Sequence, residues 1–394
     1  MTQPRPQDRT TRIYPSEPNF KALQSLTAQT TALSDYPLAA AVDKNVLIYD
    51  CDRLRPMLTD DAGRRAIMAE WVDVLSTGPG VLVLKRAETD HAMIDHASDL
   101  FRVMIAEQNQ KGSGGGDHFA KPGANDRIWN SLEKHCLADP ANFARYYGNP
   151  ILALISEAWL GPAYQMTAQL NVVNPGGAAQ SPHRDYHLGF QTAAEITRYP
   201  MHVQLFSPML TLQGAIAHVD APIETGPTQL LPFSQLWPEG YLAMGLPEVK
   251  ALFAECHVQL PLEKGDMLFF SPALLHAAGT NRSADVRRMV NLFQVSSAYG
   301  RAMETVDRLR MVKALYPALR AARADGSLGP LQIAAAIGAS AEGYAFPTNL
   351  DRDPPIGGMA PKSQARLMMD ALEADWSPET LSEALDRQAD KKLT

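Results

Sequence analysis

The feature that most restricts the fold is a change in the pattern of apolar and turn-forming residues in the middle of the chain. From about residue 164 to residue 297, short runs of apolar and β-branched residues alternate with turn signals. These signals include Pro175-Gly176-Gly177, Gly226-Pro227 and Lys264-Gly265-Asp266. Many short strands separated by such turns are typical of an all-β barrel or sandwich. The central third of the chain is therefore predicted to be a β core.

The sequence on both sides of this core has helical periodicity. Apolar residues recur at helical spacing over 62–76 and 141–159 before the core, and over 301–323 and 361–388 after it. We therefore expect one all-β core with flanking helices, α+β overall, rather than separate domains.

The expected domain boundaries follow from this change in sequence pattern. We expect a loose N-terminal arm over residues 1–40 and a domain over 41–300 that contains the β core at about 164–297. Residues 301–394 are expected to form a C-terminal helical extension packed on the core.

The composition narrows the class of partner. The net charge of −7 argues against nucleic acid as the main partner, because phosphate binding requires a basic face. Three scattered cysteines, Cys51, Cys136 and Cys256, form neither a disulfide framework nor a CxxC pair. The first 16 residues are polar, and no stretch approaches the roughly 18 apolar residues of a membrane span. We expect a cytoplasmic protein with no membrane association.

Two histidines and one carboxylate suggest a metal centre. His183 and Asp185 are two positions apart in Ser181-Pro182-His183-Arg184-Asp185, so on a strand both side chains would face the same metal. His276 follows a second apolar run, Met267–Phe270. An HxD pair alone is common by chance, but two histidines and one carboxylate are the ligands of the facial triad. This triad binds non-haem Fe(II) and leaves positions open for oxygen and a co-substrate.

An arginine accompanies the third ligand. Arg287 follows His276 by eleven positions, at the start of another apolar strand. Arginine suits bidentate binding of a carboxylate. Arg288 would face the opposite side of the strand, so only one of the two should enter the pocket, and we predict that it is Arg287.

One segment resembles a known family. Residues 223–235, which begin Ile-Glu-Thr-Gly-Pro-Thr, resemble the ENGPT…PGSH segment of the phytanoyl-CoA dioxygenase family. The order of the HxD pair, this segment, Gly-Asp, histidine and arginine also matches that family, and the resemblance covers about residues 164–296. The chain departs from the pattern at Thr225 and Gln235, and at Ala278, where some members have serine.

The resemblance implies a fold and a set of cofactors. The fold would be a double-stranded β-helix (a jelly-roll, cupin-like barrel), and the cofactors would be Fe(II) with 2-oxoglutarate and O2 as co-substrates. By position, Arg287 would bind the distal carboxylate of 2-oxoglutarate. The strand before the triad often supplies another polar contact, for which Asn171 is the first candidate and Gln169 the second. The iron ligands implied are His183, Asp185 and His276.

The implied activity is hydroxylation of a small organic molecule with release of succinate and CO2. Two alternatives stay open: a cupin-type metal enzyme that does not use 2-oxoglutarate, and a non-catalytic barrel that kept the fold. The identity of the substrate, the outcome of the oxidation and the oligomeric state are not readable from the sequence. The loops at 112–130 and 346–358 have open roles, either as covers of the site or as plain surface loops.

Overall fold

The computed structural model describes residues 17–111 and 124–394. The first 16 residues of the predicted arm and the glycine run Gly112–Gly116 lie outside the described residues. The rest of the arm is anchored: residues 20–27 form a helix that buries Leu23. Trp237 lies in the same apolar cluster as Leu23, and its indole N–H donates to the carbonyl of Asn19 at 3.2 Å.

The strands lie in two sheets. They are β1 (Ala41–Asp43), β2 (Val46–Asp50), β3 (Val81–Lys85), β4 (Asn125–Ile128), β5 (Gln165–Val173), β6 (Thr211–Ala217), β7 (Gln229–Leu230), β8 (Met267–Phe270), β9 (His276–Ala277) and β10 (Arg288–Ser296). The major sheet has eight strands in the order β1-β2-β3-β8-β6-β10-β5-β4, and β7 and β9 form the minor sheet. All pairs are antiparallel except β2 with β3. Single bridges extend the minor sheet at His183, which pairs with His276, and at Val258, which pairs with Leu230.

The strand β10 is the centre of the major sheet. It pairs with β5 over nine residues and with β6 over seven. Its residues are buried on both faces, because helices cover one face and the minor sheet faces the other. The side chains of Asn171 and Gln169 on β5 stand opposite Val290 and Leu292 of β10. This register decides which β10 side chains enter the space between the sheets.

The described helices surround this core. They are α1 (Phe20–Thr27), α2 (Cys51–Leu54), α3 (Asp61–Ser76), α4 (His91–Gln110), α5 (Ser131–Ala138), α6 (Pro140–Tyr147), α7 (Pro150–Leu160), α8 (Ala193–Ile196), α9 (Met201–Phe206), α10 (Gly240–Ala243), α11 (Pro247–Cys256), α12 (Arg308–Asp325), α13 (Pro330–Ser340), α14 (Gln364–Glu373) and α15 (Pro378–Lys391). The architecture is therefore α+β: a large mixed sheet with helices.

Two predicted helices are each divided in the structure. The periodic stretch 141–159 is two helices, because Asn149 caps a new helix that has Pro150 at its first position. The stretch 361–388 also divides, where Ser377 caps the last helix ahead of Pro378. The predicted strand at 257–262 is present only as single bridges at Val258 and Leu262.

One face of the major sheet packs on the long helices. The large buried side chains of this layer include Trp71 of α3, Phe101 of α4 and Phe143 of α6, which share a core with Phe293 of β10. The opposite face carries a smaller apolar cluster in which Val83 and Phe270 meet Leu230 and Leu274. The functional side chains described below lie on this second face.

The C-terminal helices join the same helical layer. Arg308, at the start of α12, donates to the carbonyl of Met166 on β5 at 2.9 Å. The loop between α13 and α14 is held to the end of the chain: Asp353 pairs with Lys391 at 3.0 Å and Arg352 donates to the carbonyl of Leu393. Within residues 17–111 and 124–394, no helix combines the length and the apolar character that a membrane span needs.

Candidate metal centre and its pocket

The three predicted ligands meet at one point between the sheets. His183 and His276 are paired across the minor sheet, where each backbone N–H donates to the other's carbonyl at 3.0 and 3.1 Å. Asp185 is two residues further along, and its N–H donates to the carbonyl of Pro272. One ligand atom from each of the three side chains lies within 4.8 Å of the others. Local backbone pairing therefore brings together side chains that are far apart in sequence.

The two imidazoles are oriented as a metal site requires. Nδ1 of His183 lies 2.8 Å from the carbonyl oxygen of Ser181, and Nδ1 of His276 lies 2.9 Å from that of Leu274. A carbonyl only accepts, so each Nδ1 carries the proton and each Nε2 keeps a lone pair. Nε2 of His183 is 3.6 Å and Nε2 of His276 is 3.5 Å from the Asp185 carboxylate. This donor set fits a divalent iron ion.

The carboxylate of Asp185 is held in its ionised form. Burial by itself would raise its pKa, but the adjacent imidazoles of His276 and His183 and a hydrogen bond from Gln213 together lower it to about 2. The carbonyl of Asp185 also accepts from the Tyr241 hydroxyl at 3.1 Å. An anionic, oriented carboxylate is the form that ligates a metal.

Arg184 anchors the segment between the two ligands His183 and Asp185. Its side chain is buried, and Nη2 donates to the carbonyls of Ser234 at 2.5 Å and Trp237 at 3.1 Å. The guanidinium lies over the Tyr241 ring, and burial lowers its pKa to about 10. Gly240 allows this packing, since a Cβ there would lie 1.8 Å from Cζ of Arg184. This role was not predicted from the sequence, in which the only signal was a charged residue between two ligands.

A cavity of about 200 Å³ opens beside the three ligands. Its polar lining includes Gln169, Asn171, Gln213, Arg288 and Gln294. Its apolar lining includes Trp129, Phe190, Leu292 and Met303. The predicted residues His183, Asp185, His276, Asn171 and Gln169 therefore share one pocket.

The prediction that Arg287 enters this pocket is wrong. Arg287 is exposed, with 61% of its side chain accessible, and it pairs with Asp126 at 2.9 Å and with Asn174 at 2.8 Å. The arginine that lines the pocket is its neighbour Arg288. The reason is parity: Arg288 is on the same face of β10 as Val290, which stands opposite Asn171.

Arg288 has an unusual environment for a cation. It is 4% exposed, its Nη1 donates to the carbonyl of Gly226, and burial lowers its pKa to about 10. Its Nε has no hydrogen-bond partner, and no carboxylate pairs with it anywhere in the described parts of the chain. Gly226 delivers its carbonyl from a left-handed conformation (φ +68°) in which a Cβ would lie 2.4 Å from the carbonyl oxygen of Thr280. The Gly-Pro-Thr segment of the sequence therefore has a structural role beside this arginine.

The two amide candidates differ in their surroundings. Oδ1 of Asn171 is buried and has no hydrogen-bond partner among the described residues. Gln169 is engaged at both amide atoms, since its Oε1 accepts from Arg127 at 3.0 Å and its Nε2 donates to Gln294 at 3.1 Å. Gln213 and Gln294 were not predicted, because polar residues inside an apolar strand carry no signal of which face they occupy. Arg127 was not predicted either, because its short strand Asn125–Ile128 is mostly polar and has no strand pattern in the sequence.

Relatives of known type share parts of this sequence. The chain matches the phytanoyl-CoA dioxygenase family over residues 62–289. It is 32% identical over 142 residues to the iron/alpha-ketoglutarate-dependent dioxygenase ausU of Aspergillus calidoustus, which is 35% of this chain and 41% of that protein. It is 31% identical over 114 residues to the dioxygenase trt7 of Aspergillus terreus, 29% of this chain and 34% of that protein. The matches thus span less than half the length of these curated relatives.

The solved structures that this chain matches have low sequence identity to it. The non-heme alpha ketoglutarate dependent epimerase SnoN from nogalamycin biosynthesis is 17% identical with a TM-score of 0.42, over 59% of this chain and 84% of that chain. AviO1 from Streptomyces viridochromogenes Tue57 is 18% identical with a TM-score of 0.42, over 60% of this chain and 97% of that chain.

The family match covers more than half of the 394 residues and includes the HxD pair, the Gly-Pro-Thr segment and the distal histidine. The chain belongs to the phytanoyl-CoA dioxygenase family.

Proposed function

We propose that this protein is a non-haem Fe(II)- and 2-oxoglutarate-dependent oxygenase that hydroxylates a small organic molecule and releases succinate and CO2. The family supports this activity, and so does the geometry of the three ligands. The observation that carries the co-substrate assignment is the buried Arg288, which has no carboxylate partner within the described residues.

The metal would be held by Nε2 of His183, Nε2 of His276 and the carboxylate of Asp185. Iron bound there with 2-oxoglutarate and O2 supplies the oxidising chemistry that replaces a C–H hydrogen of the substrate with a hydroxyl group. The protein's own contribution is orientation: Ser181 and Leu274 set the imidazole rings through their carbonyls.

Arg288 would bind the distal carboxylate of 2-oxoglutarate. A buried cation without an anion is strongly unfavourable, so a dianionic ligand that enters the cavity would gain from pairing with it. A guanidinium can donate two parallel hydrogen bonds to a carboxylate, and Nε of Arg288 is one of the donors still without an acceptor. The carbonyl of Gly226 accepts from Nη1 of Arg288 and so holds the other edge of the guanidinium in place.

The remaining polar residues near Arg288 divide into two roles. Asn171 stands opposite Val290, which is two residues along β10 from Arg288, and both residues line the cavity. The amide of Asn171 would contact 2-oxoglutarate. Gln169 was predicted to make the same contact, but both of its amide atoms are engaged by Arg127 and Gln294. We therefore propose that Gln169 positions Gln294 rather than binding the co-substrate.

The cupin-type alternative without 2-oxoglutarate is less well supported. Such an enzyme has no need for a buried arginine beside the metal ligands, and Arg288 would then remain an unpaired charge at the cavity wall.

We infer that the two sheets together form the jelly-roll barrel of the family, with the iron between them at the barrel mouth. Residues 41–300 would be the oxygenase domain and residues 301–394 its C-terminal helical extension. A cytoplasmic location and a small-molecule substrate are consistent with this assignment.

The test is an anaerobic titration of the purified protein with Fe(II) and then with 2-oxoglutarate. A weak visible charge-transfer band, formed when 2-oxoglutarate chelates iron, is the expected result. The Arg288→Leu variant should lower the 2-oxoglutarate affinity by a factor of about 30 or more, because the co-substrate loses a buried charged partner.

The adjacent arginine provides a matched control. Arg287→Leu removes an identical side chain one position away, and its exposed ion pair should leave the 2-oxoglutarate affinity within about twofold of wild type. Iron binding without the band would favour the alternative without 2-oxoglutarate. Equal effects of the two substitutions would refute the assignment of Arg288.

A further inference from the structure

Gln213 presents an unsatisfied acceptor beside the metal ligands. It lies on β6, is 7% exposed, and donates from Nε2 to Oδ2 of Asp185. Because the ionised carboxylate can only accept, the amide orientation is decided by chemistry: the nitrogen faces Asp185 and the oxygen faces away. That oxygen, Oε1, is buried and has no hydrogen-bond partner in the described residues. A buried acceptor without a donor is unfavourable, so Oε1 of Gln213 would be stabilised by a hydrogen-bond donor from a bound ligand.

Gln294 presents the complementary donor. Arg127 donates to Oε1 of Gln169 at 3.0 Å, and Nε2 of Gln169 donates to Oε1 of Gln294 at 3.1 Å. A guanidinium has no acceptor, so the direction of this chain of hydrogen bonds is determined from its first member. Nε2 of Gln294 is therefore the atom left to donate. Gln294 lines the same cavity and is 6% exposed.

The two glutamines are neighbours in the cavity lining. Gln213 and Gln294 are directly paired across β6 and β10, which places their Cβ atoms about 5 Å apart on one face. Between them they offer one acceptor and one donor next to Asp185. The apolar part of the same cavity lining includes Phe190, Leu292 and Met303.

We propose that Gln213 and Gln294 together bind a hydroxyl group of the substrate, and that the substrate is a largely apolar alcohol oxidised at a carbon close to that hydroxyl. A hydroxyl is a group that donates and accepts at one atom, as this pair of amides requires. The inference deepens the proposed function and rests on it, because it places the hydroxyl beside the iron ligand Asp185.

The experiment uses the anaerobic protein loaded with Fe(II) and 2-oxoglutarate. The probes are one- to three-ring cyclic alcohols, from cyclohexanol upward, each paired with its methyl ether, which accepts but cannot donate. Binding is measured from the broadening of the probe's proton resonances by the paramagnetic iron. The best alcohol should bind about tenfold or more tightly than its ether, since the ether leaves Oε1 of Gln213 unpaired.

Substitution of Gln294 tests the donor without touching a metal ligand. Gln294→Leu should weaken alcohol binding about tenfold and erase the preference over the ether. Gln294→Glu keeps the shape and the acceptor that faces Gln169, and it should also weaken alcohol binding if the donor is what matters. The control is Gln235→Leu, which removes a partly buried amide that bonds to the carbonyl of Gly78 away from the cavity and should leave both affinities unchanged.

The proposal is overturned if no alcohol binds, if alcohols and ethers bind equally, or if the control variant loses the preference as Gln294→Leu does. An ordered water that stays between the two amides when a probe is bound would also overturn it. The visible charge-transfer band, recorded on each sample, distinguishes a failure of the proposed function from a failure of this inference. A wild-type protein without the band contradicts the proposed function, whereas a normal band without an alcohol preference contradicts this inference alone.

Discussion

His183 and His276 exchange two backbone hydrogen bonds, with N–H to carbonyl distances of 3.0 and 3.1 Å, and their ring centroids lie 4.5 Å apart. The positions of these two side chains are thus set by strand pairing and not by the metal. Each ring is also held by a carbonyl two residues earlier in its own chain segment, Ser181 or Leu274. A site built in this way is preorganised, so its fold should not depend on the ion.

Loss of either histidine should therefore abolish iron binding while the protein stays folded. For His183→Ala and His276→Ala we expect no charge-transfer band. We expect the free energy of unfolding of the metal-free protein to stay within about 2 kcal/mol of wild type. Fe(II) titration and urea denaturation measure the two quantities. The exposed His202 provides the control substitution, His202→Ala. Retention of full iron affinity by His276→Ala would argue against the ligand assignment.

Substitution of Gly226, whose carbonyl contacts Arg288, should destabilise the protein more than substitution of an ordinary left-handed glycine. Gly226→Ala combines a left-handed backbone with a Cβ only 2.4 Å from the carbonyl oxygen of Thr280, so we expect a loss of about 3 kcal/mol in unfolding free energy. It should also weaken 2-oxoglutarate binding, because the Gly226 carbonyl contacts Arg288. Gly326 has the same conformation (φ +74°) with nothing within 4 Å of an added Cβ, so Gly326→Ala should lose only about 1 kcal/mol.

Thermal or urea unfolding of the two alanine variants, together with 2-oxoglutarate titration, checks this comparison. Equal stability losses at the two glycines would show that the contact with Thr280 is unimportant.

Arg184 should control metal affinity without contacting the metal. Arg184→Leu leaves the carbonyls of Ser234 and Trp237 without their donor, so we expect about 2–4 kcal/mol of destabilisation. Iron affinity should fall by a factor of about 10–100, as for other residues that orient metal ligands. Gly240→Ala should act in the same direction, because its Cβ would overlap the guanidinium.

The exposed arginine of the neighbouring loop supplies the control, since Arg198→Leu should change stability by no more than about 0.5 kcal/mol. If Arg184→Leu bound iron as tightly as this control, the positioning role would be wrong.

Two buried histidines that pack against Phe101 of α4 and Tyr146 of α6 should make the protein sensitive to mild acid. Burial lowers the pKa of His135 to about 4 and that of His218 to about 3, and their rings bond to Asn142 and to Ser98 and Tyr146. Because the unfolded chain takes up these protons near pH 6.5, the stabilisation is present above that pH and is lost as the pH falls towards the folded values. Each histidine contributes about 1.4 kcal/mol per pH unit in that window.

Between pH 7.5 and pH 5, the two groups together should remove about 4 kcal/mol of unfolding free energy. Urea denaturation at both values measures the change. In His218→Gln, the loss of unfolding free energy between pH 7.5 and pH 5 should fall to about half of the wild-type loss, because one of the two protonation sites is removed. A stability that is the same at pH 7.5 and pH 5 would contradict the prediction.

The sequence by itself determined the parts of this protein that depend on local patterns. The two-residue spacing of His183 and Asp185 sufficed to predict that their side chains meet at one point, and glycine and proline signals marked the ends of several strands, such as Met267–Phe270. The motif around Gly226 identified the family, which the match over residues 62–289 confirmed. These signals are encoded within a few neighbouring residues, so no tertiary information was needed.

The tertiary structure alone decided which arginine enters the pocket and which amides line it. The strand Arg288–Ser296 is buried on both faces, so its sequence has no polar and apolar alternation from which the inward side could be read. The register with Gln213 and Asn171 resolves that parity, and it depends on pairing between residues far apart in the chain. For the same reason the hydrogen bonds from Arg127 through Gln169 to Gln294, which cross three strands, exist only once the sheet has formed.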